Sequence, residues 1–362
     1  MAANDWRVPT IKELYSLWNV SVGWPYIDTE YFDIKYTDEQ DLSHAIFWSS
    51  DKYTGVMGNI SGEPGAEPGA ELAFGVNFGT GHIKAYSISI GPKHFVRCVR
   101  GNLAYAVNLF QNNNDGTIYD LASGLMWQQT DNGLGIDWKH ALAYAQTQNN
   151  ANYLGHNDWR LPNTKELQSI VDYTLSPYAT DSANVGPAIN ALFSCTGILN
   201  DGGKADYPYY WTSTSAISQQ NGIYASAWYV AFGMAEDGNG EDLHGAGAVR
   251  FDKKILGTGT GEERVLNYVR LVRNITTTGI NENKSNNSIN VYPNPATDQL
   301  TIEMKGNKEK ANFEIFNSIG QIVTTGSLLE KTVVQTNSFS PGVYLIKLEY
   351  GKTYEFKKII KE

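Results

Sequence analysis

One domain-sized pattern occurs twice in this 362-residue chain, and the duplication limits the possible folds more than any other feature. Residues 4–14 read NDWRVPTIKEL, and residues 157–167 read NDWRLPNTKEL. Three further pairs of blocks follow in the same order: FWSS at 47–50 and YWTS at 210–213, FGVNFG at 74–79 and WYVAFG at 228–233, and FVRCVR at 95–100 and YVRLVR at 268–273. These collinear matches predict that one domain fold is used twice.

The two copies differ at their starts. Ahead of its Asp-Trp-Arg motif, copy two has a turn at 114–116, a strand pattern at 117–119, the apolar residues at 125–127 and an amphipathic helix. The helical spacing is carried by Trp138, Ala141, Leu142 and Ala145. Copy one has three residues in the corresponding place. Because a missing strand and helix would leave an open sheet edge and exposed apolar surface, we expect the natural protein to extend further toward its N-terminus. A permuted or swapped arrangement is the alternative.

Within each copy, the Asp-Trp-Arg-x-Pro segment leads into a helix. Asn163 or Thr164 can cap this helix in copy two, and Glu166 lies in the first turn, where the helix dipole favours an acid. The predicted buried face consists of Leu167, Ile170 and Val171. Alternating apolar and polar residues at 227–232 and 267–272 predict strands. Helices, strands and long Gly- and Asn-rich loops indicate an α+β domain.

The composition changes after residue 273. Residues 274–289 are polar and rich in Asn and Thr, as linkers are. Beyond them, short apolar segments at 291, 300–302, 313–316, 321–323, 343–346 and 356–360 predict a small all-β sandwich. The predicted organisation is therefore copy one at 1–101, copy two at 102–273, a polar linker at 274–289 and a C-terminal β-sandwich at 290–362.

Charge and composition exclude several classes of partner. The formal net charge of −10 argues against nucleic acid, because neutralising phosphates requires clustered Lys and Arg. No apolar run approaches the ~18 residues of a membrane-spanning helix. The chain has two cysteines, Cys98 and Cys195, so no disulfide framework holds the fold.

The paired blocks resemble a known domain family. The Asp-Trp-Arg-Leu-Pro, Trp-Thr-Ser-Thr and Val-Arg-x-Val-Arg blocks, with GLMW at 124–127 and HGAGA at 244–248, are similar to those of the Lcl C-terminal-like domain family. The resemblance covers nearly all of residues 4–273, with copy one incomplete at its start and Leu271 standing where copy one has Cys98. It implies α+β, tandem C-type-lectin-like domains. Some members are surface adhesins that bind sulfated polysaccharide, which implies a binding role outside the cell.

The tail resembles the C-terminal sorting domain of type IX secretion substrates. Its motifs are YPNPA at 292–296, FNSIGQ at 316–321, PGVY at 341–344 and KKII at 357–360. The resemblance implies an Ig-like sandwich that the type IX secretion machinery recognises. It also implies export through the periplasm to the outer-membrane surface or the medium, which requires an N-terminal export signal.

The lectin-like fold also occurs in formylglycine-generating oxidases, which work through a pair of cysteines in one site. Cys98 and Cys195 lie in different copies, and we predict that each is a small buried hydrophobic residue. An oxidase would need their Cα atoms within about 7 Å. No Gly-x-Ser-x-Gly, His-Glu-x-x-His or phosphate-loop spacing occurs in the sequence. We therefore expect a protein that is not an enzyme.

An insertion at 235–265 is present only in copy two. Asp237, Asn239 and Glu241 alternate with glycines and are followed by Asp242, which is a pattern of oxygen ligands for Ca²⁺ on a flexible loop. The later bidentate Glu of a complete calcium loop is missing. Two interpretations remain: a Ca²⁺ site at these four residues, or a solvated Gly-Asp turn that binds no cofactor.

Aromatic residues near this loop form a candidate ligand site. We predict ligand contacts for Tyr207, Tyr209, Tyr224 and His244, because aromatic faces flanked by Asn and Asp commonly hold sugars. The alternative is that the tyrosines line the core and His244 makes a structural hydrogen bond.

The charged and aromatic residues of the repeated motifs are expected to be structural. Trp159 is predicted in the core, and Asp158 and Arg160 are predicted to fix the loop by charge-assisted hydrogen bonds. Arg270 and Arg273 are predicted to share a polar strand face, either paired to acids or solvated.

The leading functional hypothesis is a secreted or cell-surface binding and adhesion protein that recognises a glycan or another surface component. The alternative is a structural or scaffolding surface protein whose repeats bind other proteins.

Overall fold

The computed structural model describes residues 5–34, 44–58, 71–89, 93–102, 105–217, 224–236, 239–255, 265–275, 289–304, 310–317, 321–350 and 353–362. The chain divides into two compact units, one formed by residues 1–101 and 110–274 and the other by residues 102–109 and 275–362. Both copies of the repeat therefore lie in the same compact unit.

Copy one contains one short helix and three antiparallel strands in its described residues. They are α1 (Ile11–Tyr15), β1 (Ile46–Tyr53), β2 (Leu72–Asn77) and β3 (Ile83–Ser87). β2 pairs with β1 on one side and with β3 on the other.

Copy two repeats this pattern and adds elements ahead of it. The added elements are β4 (Phe110–Asn112), β5 (Thr117–Asp120), β6 (Leu125–Gln128) and α2 (Trp138–Asn150). The remaining elements are α3 (Thr164–Ser169), β7 (Ile198–Leu199), β8 (Ala205–Asp206), β9 (Tyr209–Ala216), β10 (Ser226–Ala231), β11 (Val249–Lys253) and β12 (Val272–Asn274). The strand predicted at 117–119 and the helix predicted from the spacing that begins at Trp138 are confirmed.

A six-stranded antiparallel sheet joins the two copies. Its strand order is β1-β2-β3-β11-β10-β9, so the strands of copy one meet those of copy two in mirror order. The halves meet where Ile83 of β3 lies opposite Val249 of β11. Since β3 and β11 would otherwise be open edges, their pairing removes one unpaired strand edge from each copy. The two copies thus have the strand order of a symmetric dimer within a single chain.

Aromatic side chains from both copies pack against each other in the shared core. Trp228 of β10 is fully buried, and its ring centroid lies 5.2 Å from that of Trp18 and 5.5 Å from that of Tyr26, both edge-on. Trp24 Nε1 and the Tyr26 hydroxyl both donate to the Ile217 carbonyl, at 2.8 Å and 2.6 Å. Because these contacts cross between copies, they stabilise the copies as one body.

A second sheet, of order β12-β6-β5-β4, lies in copy two. Val272 of β12 is opposite Trp127 of β6, and both side chains are buried. The covering helix α2 is capped by Asp137, whose side chain accepts a hydrogen bond from the His140 N–H at 2.8 Å. This helix and the loop after it enclose the motif tryptophan Trp159.

The apolar face of α2 is narrower than predicted. Ala141 and Ala145 are buried, but Leu142 is exposed. Adjacent helical residues are rotated by about 100°. The face that buries Ala141 therefore turns Leu142 toward solvent.

The strand predicted at 267–272 is wrong in its bounds, since β12 begins only at Val272. The preceding residues change partner at nearly every step. Asn267 bridges Ile136, and Tyr268 bridges Tyr210. The alternating sequence is therefore extended, but no single neighbouring strand accompanies it for long enough to form a ladder.

The two arginines of this segment do not share a polar face. Arg273 pairs with the carboxylate of Asp158 at 2.5 Å, which confirms its predicted acidic partner. Arg270, in contrast, is fully buried, and its guanidinium donates to the carbonyls of Gln128 and Ser194 at 3.0 Å and 2.8 Å and to that of Gln129. The prediction of a solvated or acid-paired Arg270 is wrong because backbone carbonyls satisfy its charge inside the fold.

The C-terminal unit contains a two-sheet β-sandwich. Its strands are β13 (Ile289–Tyr292), β14 (Gln299–Met304), β15 (Ala311–Phe316), β16 (Ile322–Leu328), β17 (Lys331–Gln335), β18 (Gly342–Tyr350) and β19 (Thr353–Lys361). One sheet has the order β13-β14-β17 and the other β16-β15-β18-β19. Alternate residues of β14 and β15, including Leu300, Ile302, Phe313 and Ile315, fill one core. Several sheets with few short helices fit the predicted α+β copies and all-β tail.

Candidate functional site

Each copy begins its motif helix with an Arg–Glu pair. In copy one, Thr10 caps α1, and the Glu13 carboxylate accepts a hydrogen bond from the Thr10 N–H at 2.8 Å. Arg7 donates to both oxygens of Glu13, at 2.6 Å and 2.5 Å. Arg160 and Glu166 of copy two form the same pair, at 2.7 Å and 2.8 Å. The repeated motif therefore fixes the start of α1 and of α3 in the same way.

The Arg7–Glu13 pair predicts a loss of stability in acid. Burial acts to raise the pKa of Glu13, but hydrogen bonds from Arg7 and Thr10 outweigh it and lower that pKa. The stabilisation is therefore fully present above the unfolded-state pKa of about 4.3, and it is lost as the pH falls through the lower folded-state value. Glu13→Gln should cost about 1–3 kcal/mol at pH 7 and flatten the fall of Tm below pH 4.5.

The matched control for this measurement is Glu71→Gln. Glu71 forms an ion pair with Lys52 at 3.1 Å in which both side chains are exposed. Exposed pairs contribute little, so this variant should keep the wild-type dependence of Tm on pH. An equal flattening in both variants would show that the buried pair has no special role.

A cleft of about 620 Å³ lies between the end of α1 and the start of α3, and we call it the inter-copy cleft. Copy one contributes Ser16, Leu17, Trp18, Asn19, Val20, Asp28 and Phe32, and copy two contributes Asn163, Thr164, Lys165, Glu166 and Thr214. Lys165 crosses between the copies, because its Nζ donates to the Ser16 carbonyl at 2.8 Å. Burial lowers the pKa of Lys165. The residues after α1 and those at the start of α3 therefore line one shared concave surface.

The inter-copy cleft offers carboxylate, amide and hydroxyl groups beside an aromatic ring. Asp28 Oδ1 accepts a hydrogen bond from the Glu30 N–H at 3.0 Å, which fixes the carboxylate in its turn. Asn19 Oδ1 is fixed similarly by Ser21. Phe32 is half-buried, with the Arg97 guanidinium 5.0 Å from its ring centroid. The side-chain oxygens of Asp28 and Asn19 can accept hydrogen bonds from ligand hydroxyl groups, and the ring of Phe32 can contact apolar C–H faces.

Of the four residues predicted to bind Ca²⁺, the structure describes Asn239, Glu241 and Asp242. Asp237 lies outside the described residues, and Asn239 is exposed. Glu241 forms an ion pair with Lys204 at 2.8 Å. Asp242 is buried and accepts hydrogen bonds from the Tyr53 hydroxyl and from the Gly245 N–H.

The carboxylate of Asp242 therefore has a structural environment. Burial raises its pKa, although hydrogen bonds from Tyr53 and from backbone N–H groups act to lower it. Because Tyr53 belongs to copy one, this bond also joins the copies. Among the described residues, no group of three or more His, Cys, Asp or Glu side chains is placed to hold a metal ion.

The residues predicted to contact a ligand differ in burial. Tyr209 is buried, and its hydroxyl donates to the Met234 carbonyl at 2.8 Å. Tyr207 is half-buried, whereas Tyr224 is exposed. His244 is half-buried, and its buried Nδ1 has no hydrogen-bond partner among the described residues. Burial lowers the pKa of His244 well below the usual range.

The small residues after His244 pack closely in the core. Gly245 and Gly247 have φ angles of +87° and +99°. A Cβ on Gly247 would lie 2.7 Å from the ring of Tyr173, and one on Gly245 would lie 3.2 Å from that of Phe74. The segment therefore needs glycine for close packing, within copy two at Gly247 and against copy one at Gly245.

Both cysteines are free thiols. The prediction that Cys98 is buried is wrong, since it is exposed, whereas Cys195 is half-buried with its Sγ 3.5 Å from Arg270 Nη2. The cause is visible in copy two, where β6 covers Leu271, the counterpart of Cys98: the Gln128 N–H donates to the Leu271 carbonyl at 2.9 Å.

The sequence did not indicate the residues of the inter-copy cleft. Asn19, Asp28 and Phe32 lie in an irregular segment of copy one that has no repeated motif. The repeat was the one feature of the sequence that pointed to these residues, because Ser16 follows the first motif helix and Lys165 lies in the second. A sequence repeat does not state how its copies face each other.

The C-terminal unit defines the class of protein. Residues 290–362 match the family model described as a secretion system C-terminal sorting domain. The protein is therefore exported to the extracellular space or the outer-membrane surface, and the type IX secretion machinery handles its C-terminal domain.

The family follows from the remainder of the chain. Residues 1–100 and 116–253 match the model of the Lcl C-terminal domain, and these two segments make up more than half of the chain. The chain belongs to the Lcl C-terminal domain family. No curated protein gives a significant match. In the part of the chain that the structure describes, no helix is both long and apolar enough to cross a membrane.

Proposed function

We propose that this exported protein is a non-catalytic binding and adhesion protein that recognises a glycan in the inter-copy cleft. The observation that carries the proposal is the position of the cleft between two copies of one domain, next to the end of α1 and the start of α3. Its volume of about 620 Å³ suits a ligand of a few sugar rings and lies in the range of about 300–1,000 Å³ typical of ligand sites.

The chemistry of the cleft supports a glycan over an apolar ligand. The side chains of Asp28 and Asn19 are held in place by hydrogen bonds within their own turns. They therefore lose little conformational entropy when a ligand binds. Phe32 supplies a face on which sugar C–H groups can stack. Lys165 adds a positive charge at the junction of the copies.

A C-type-lectin-like fold for each copy is part of the same proposal. The support is the resemblance of the repeated motifs, together with a short helix and an antiparallel sheet joined by long loops in each copy. Such loops are where binding residues are concentrated in folds of this kind.

A non-catalytic role is supported by the state of the cysteines. Burial is the largest influence on Cys195 and raises the pKa of its thiol, which disfavours the reactive thiolate. Cys98 is exposed on the surface of copy one, whereas Cys195 is half-buried beside Arg270 of copy two.

A glycan array probed with and without calcium tests the proposal. The Asp28→Asn variant keeps the side-chain shape but removes the charge, so it should weaken the best glycan at least tenfold, as expected for loss of a hydrogen bond to a charged group. Calcium chelation should leave binding unchanged, because Glu241 and Asp242 are engaged within the protein. Glu71→Gln, outside the cleft, is the matched control. If Asp28→Asn bound the glycan as tightly as the wild type, the cleft would not be the glycan-binding site.

The second candidate function is a scaffolding protein that binds other proteins. It is favoured by large apolar side chains exposed on copy one, including Trp6 and Val96. Absence of glycan binding, combined with stoichiometric capture of a protein through these residues, would reverse the order of the two candidates.

A further inference from the structure

The six-stranded sheet is narrowest where the two copies join. Among the described residues, β3 and β11 pair at one position, where Ile83 lies opposite Val249. Within the copies, by contrast, β2 with β3 and β10 with β11 each align five residue pairs. One further backbone bond crosses beside the junction, from the Ala85 N–H to the His244 carbonyl at 2.8 Å. We call the Ile83–Val249 pair and this bond the sheet seam. Because so few backbone bonds hold it, the seam is the part of the sheet that local opening reaches at the lowest cost.

A histidine of copy one packs across the sheet seam. His82 directly precedes Ile83, and its ring stacks on that of Phe251 with centroids 5.0 Å apart. The ring of Trp228 lies 5.6 Å from it. Both of these aromatic residues belong to copy two. The Nδ1 atom of His82 lies 3.0 Å from the Thr80 hydroxyl oxygen. An imidazole packed against two aromatic rings is costly to charge, because the rings replace water around it.

A second histidine, from copy two, lies at the same seam. His244 provides the carbonyl that accepts the crossing bond, and its ring is half-buried. The buried Nδ1 of that ring has no hydrogen-bond partner among the described residues. Burial lowers the pKa of His82 and of His244 well below the usual range, and His82 lowers the pKa of His244 further. Both histidines are therefore neutral at pH 7 while the seam is closed.

The charged groups that act on both histidines are cations. Arg250 of β11 and Lys84 of β3 each lower the pKa of both imidazoles. Two carboxyl groups lie nearby in the chain. Asp252 accepts a hydrogen bond from the next backbone N–H at 2.9 Å, and Asp242 accepts one from the His244 N–H at 3.2 Å. Burial raises the pKa of Asp242, so this carboxyl favours the folded seam in acid and works against opening.

We propose that the sheet seam is a pH-sensitive junction, at which protonation of His82 and His244 separates β3 from β11 in mild acid. In the open seam both rings reach water and take up protons with the ordinary pKa of about 6.5. The stabilisation of the closed seam is therefore fully present above about pH 6.5, and it is lost as the pH falls from there toward the lower closed-state pKa values. The two copies are thus coupled through one continuous sheet at neutral pH and uncoupled at this junction in acid.

Hydrogen exchange of the Ala85 amide in the full chain tests the proposal, because this N–H bonds across the seam. Each histidine that is protonated only in the open seam favours opening about tenfold between about pH 7.5 and about pH 5.5. The protection factor of Ala85, corrected for the intrinsic dependence of exchange on pH, should therefore fall about 100-fold over this range.

The Ala231 amide is the internal reference for this measurement. It bonds within copy two, to the Ala248 carbonyl at 3.0 Å, and should keep its protection over the same range of pH. An equal loss of protection at Ala85 and Ala231 would overturn the proposal, because acid would then loosen the whole unit rather than the seam. An unchanged protection factor at Ala85 would overturn it as well, and this wild-type result needs no substitution.

Substitution of the two histidines identifies the groups responsible. His82→Phe keeps a ring beside Phe251 but takes up no proton, and His244→Gln is likewise neutral at every pH tested. Either change alone should reduce the fall at Ala85 to about tenfold, and the double variant should abolish it. His140→Gln is the matched control, because His140 is exposed on α2, and it should show the full 100-fold fall. The same fall in the double variant as in the wild type would contradict the assignment to these histidines.

Discussion

Replacing Trp228 with alanine is expected to lower the free energy of unfolding by about 3–5 kcal/mol. Trp228 is completely buried and meets Trp18 and Tyr26 of copy one edge-on. It also contacts Phe251 of β11, with ring centroids 5.0 Å apart. The substitution removes this group of contacts and leaves a cavity where the copies meet. Chemical denaturation of the wild type and the variant measures the difference.

Two further variants serve as controls for this prediction. Trp228→Phe should cost less than the alanine variant, because it retains a ring and removes an indole N–H that has no hydrogen-bond partner in the part of the chain that the structure describes. Trp6→Ala should cost less than about 1 kcal/mol, because Trp6 is largely exposed. A cost for Trp228→Ala no larger than that for Trp6→Ala would mean that the aromatic cluster does not hold the copies together.

Replacing Arg270 with methionine is expected to lower the free energy of unfolding by about 3–5 kcal/mol. Methionine fills much of the same volume but donates no hydrogen bonds. The carbonyls of Gln128, Gln129 and Ser194 would then lose the donors that Arg270 supplies, although that of Gln129 keeps the Ser194 N–H at 3.0 Å. A hydrogen bond to a charged group contributes about 1.5–3 kcal/mol. The measurement is again equilibrium unfolding by denaturant.

Arg97 of copy one is the matched control, because it occupies the equivalent place in the repeat. Its guanidinium makes one hydrogen bond to a carbonyl, that of Asp33, at 2.9 Å, and it lies over the rings of Phe32 and Phe47. Arg97→Met should therefore cost about 1 kcal/mol. Equal costs at both positions would show that the extra carbonyl bonds of Arg270 add nothing to stability.

The local features of the fold could be predicted from the sequence. The capping of α3 by Asn163 and Glu166 follows from residues three positions apart, and the structure confirms it. The buried position of Trp159 and the pairing of Asp158 with Arg273 also agree with the structural interpretation of the motif. These features are determined by neighbours along the chain or by hydrophobicity alone.

Other predictions failed where several segments meet. The tail was predicted to have six strands, but β17 (Lys331–Gln335) was missed, because its short KTVVQ sequence has one buried side chain, Val334. Cys98 and Leu271 occupy the same place in the repeat, yet Leu271 is buried beside β6 and Cys98 is exposed. Nothing in the sequence indicated that Asp242 turns inward to Tyr53, because that contact joins residues of different copies.

By itself, the sequence determined that one domain is duplicated, that each motif helix begins with a capped turn, and that the chain ends in a sorting domain. The repeat and the sorting domain are visible as residue patterns. The capped helix starts depend on hydrogen bonds between residues close together in the chain. Only the tertiary structure decided that β3 and β11 pair and that α1 and α3 face a common cleft. Strand edges pair through backbone groups that almost every residue has, so the choice of partner depends on the packing of the whole unit.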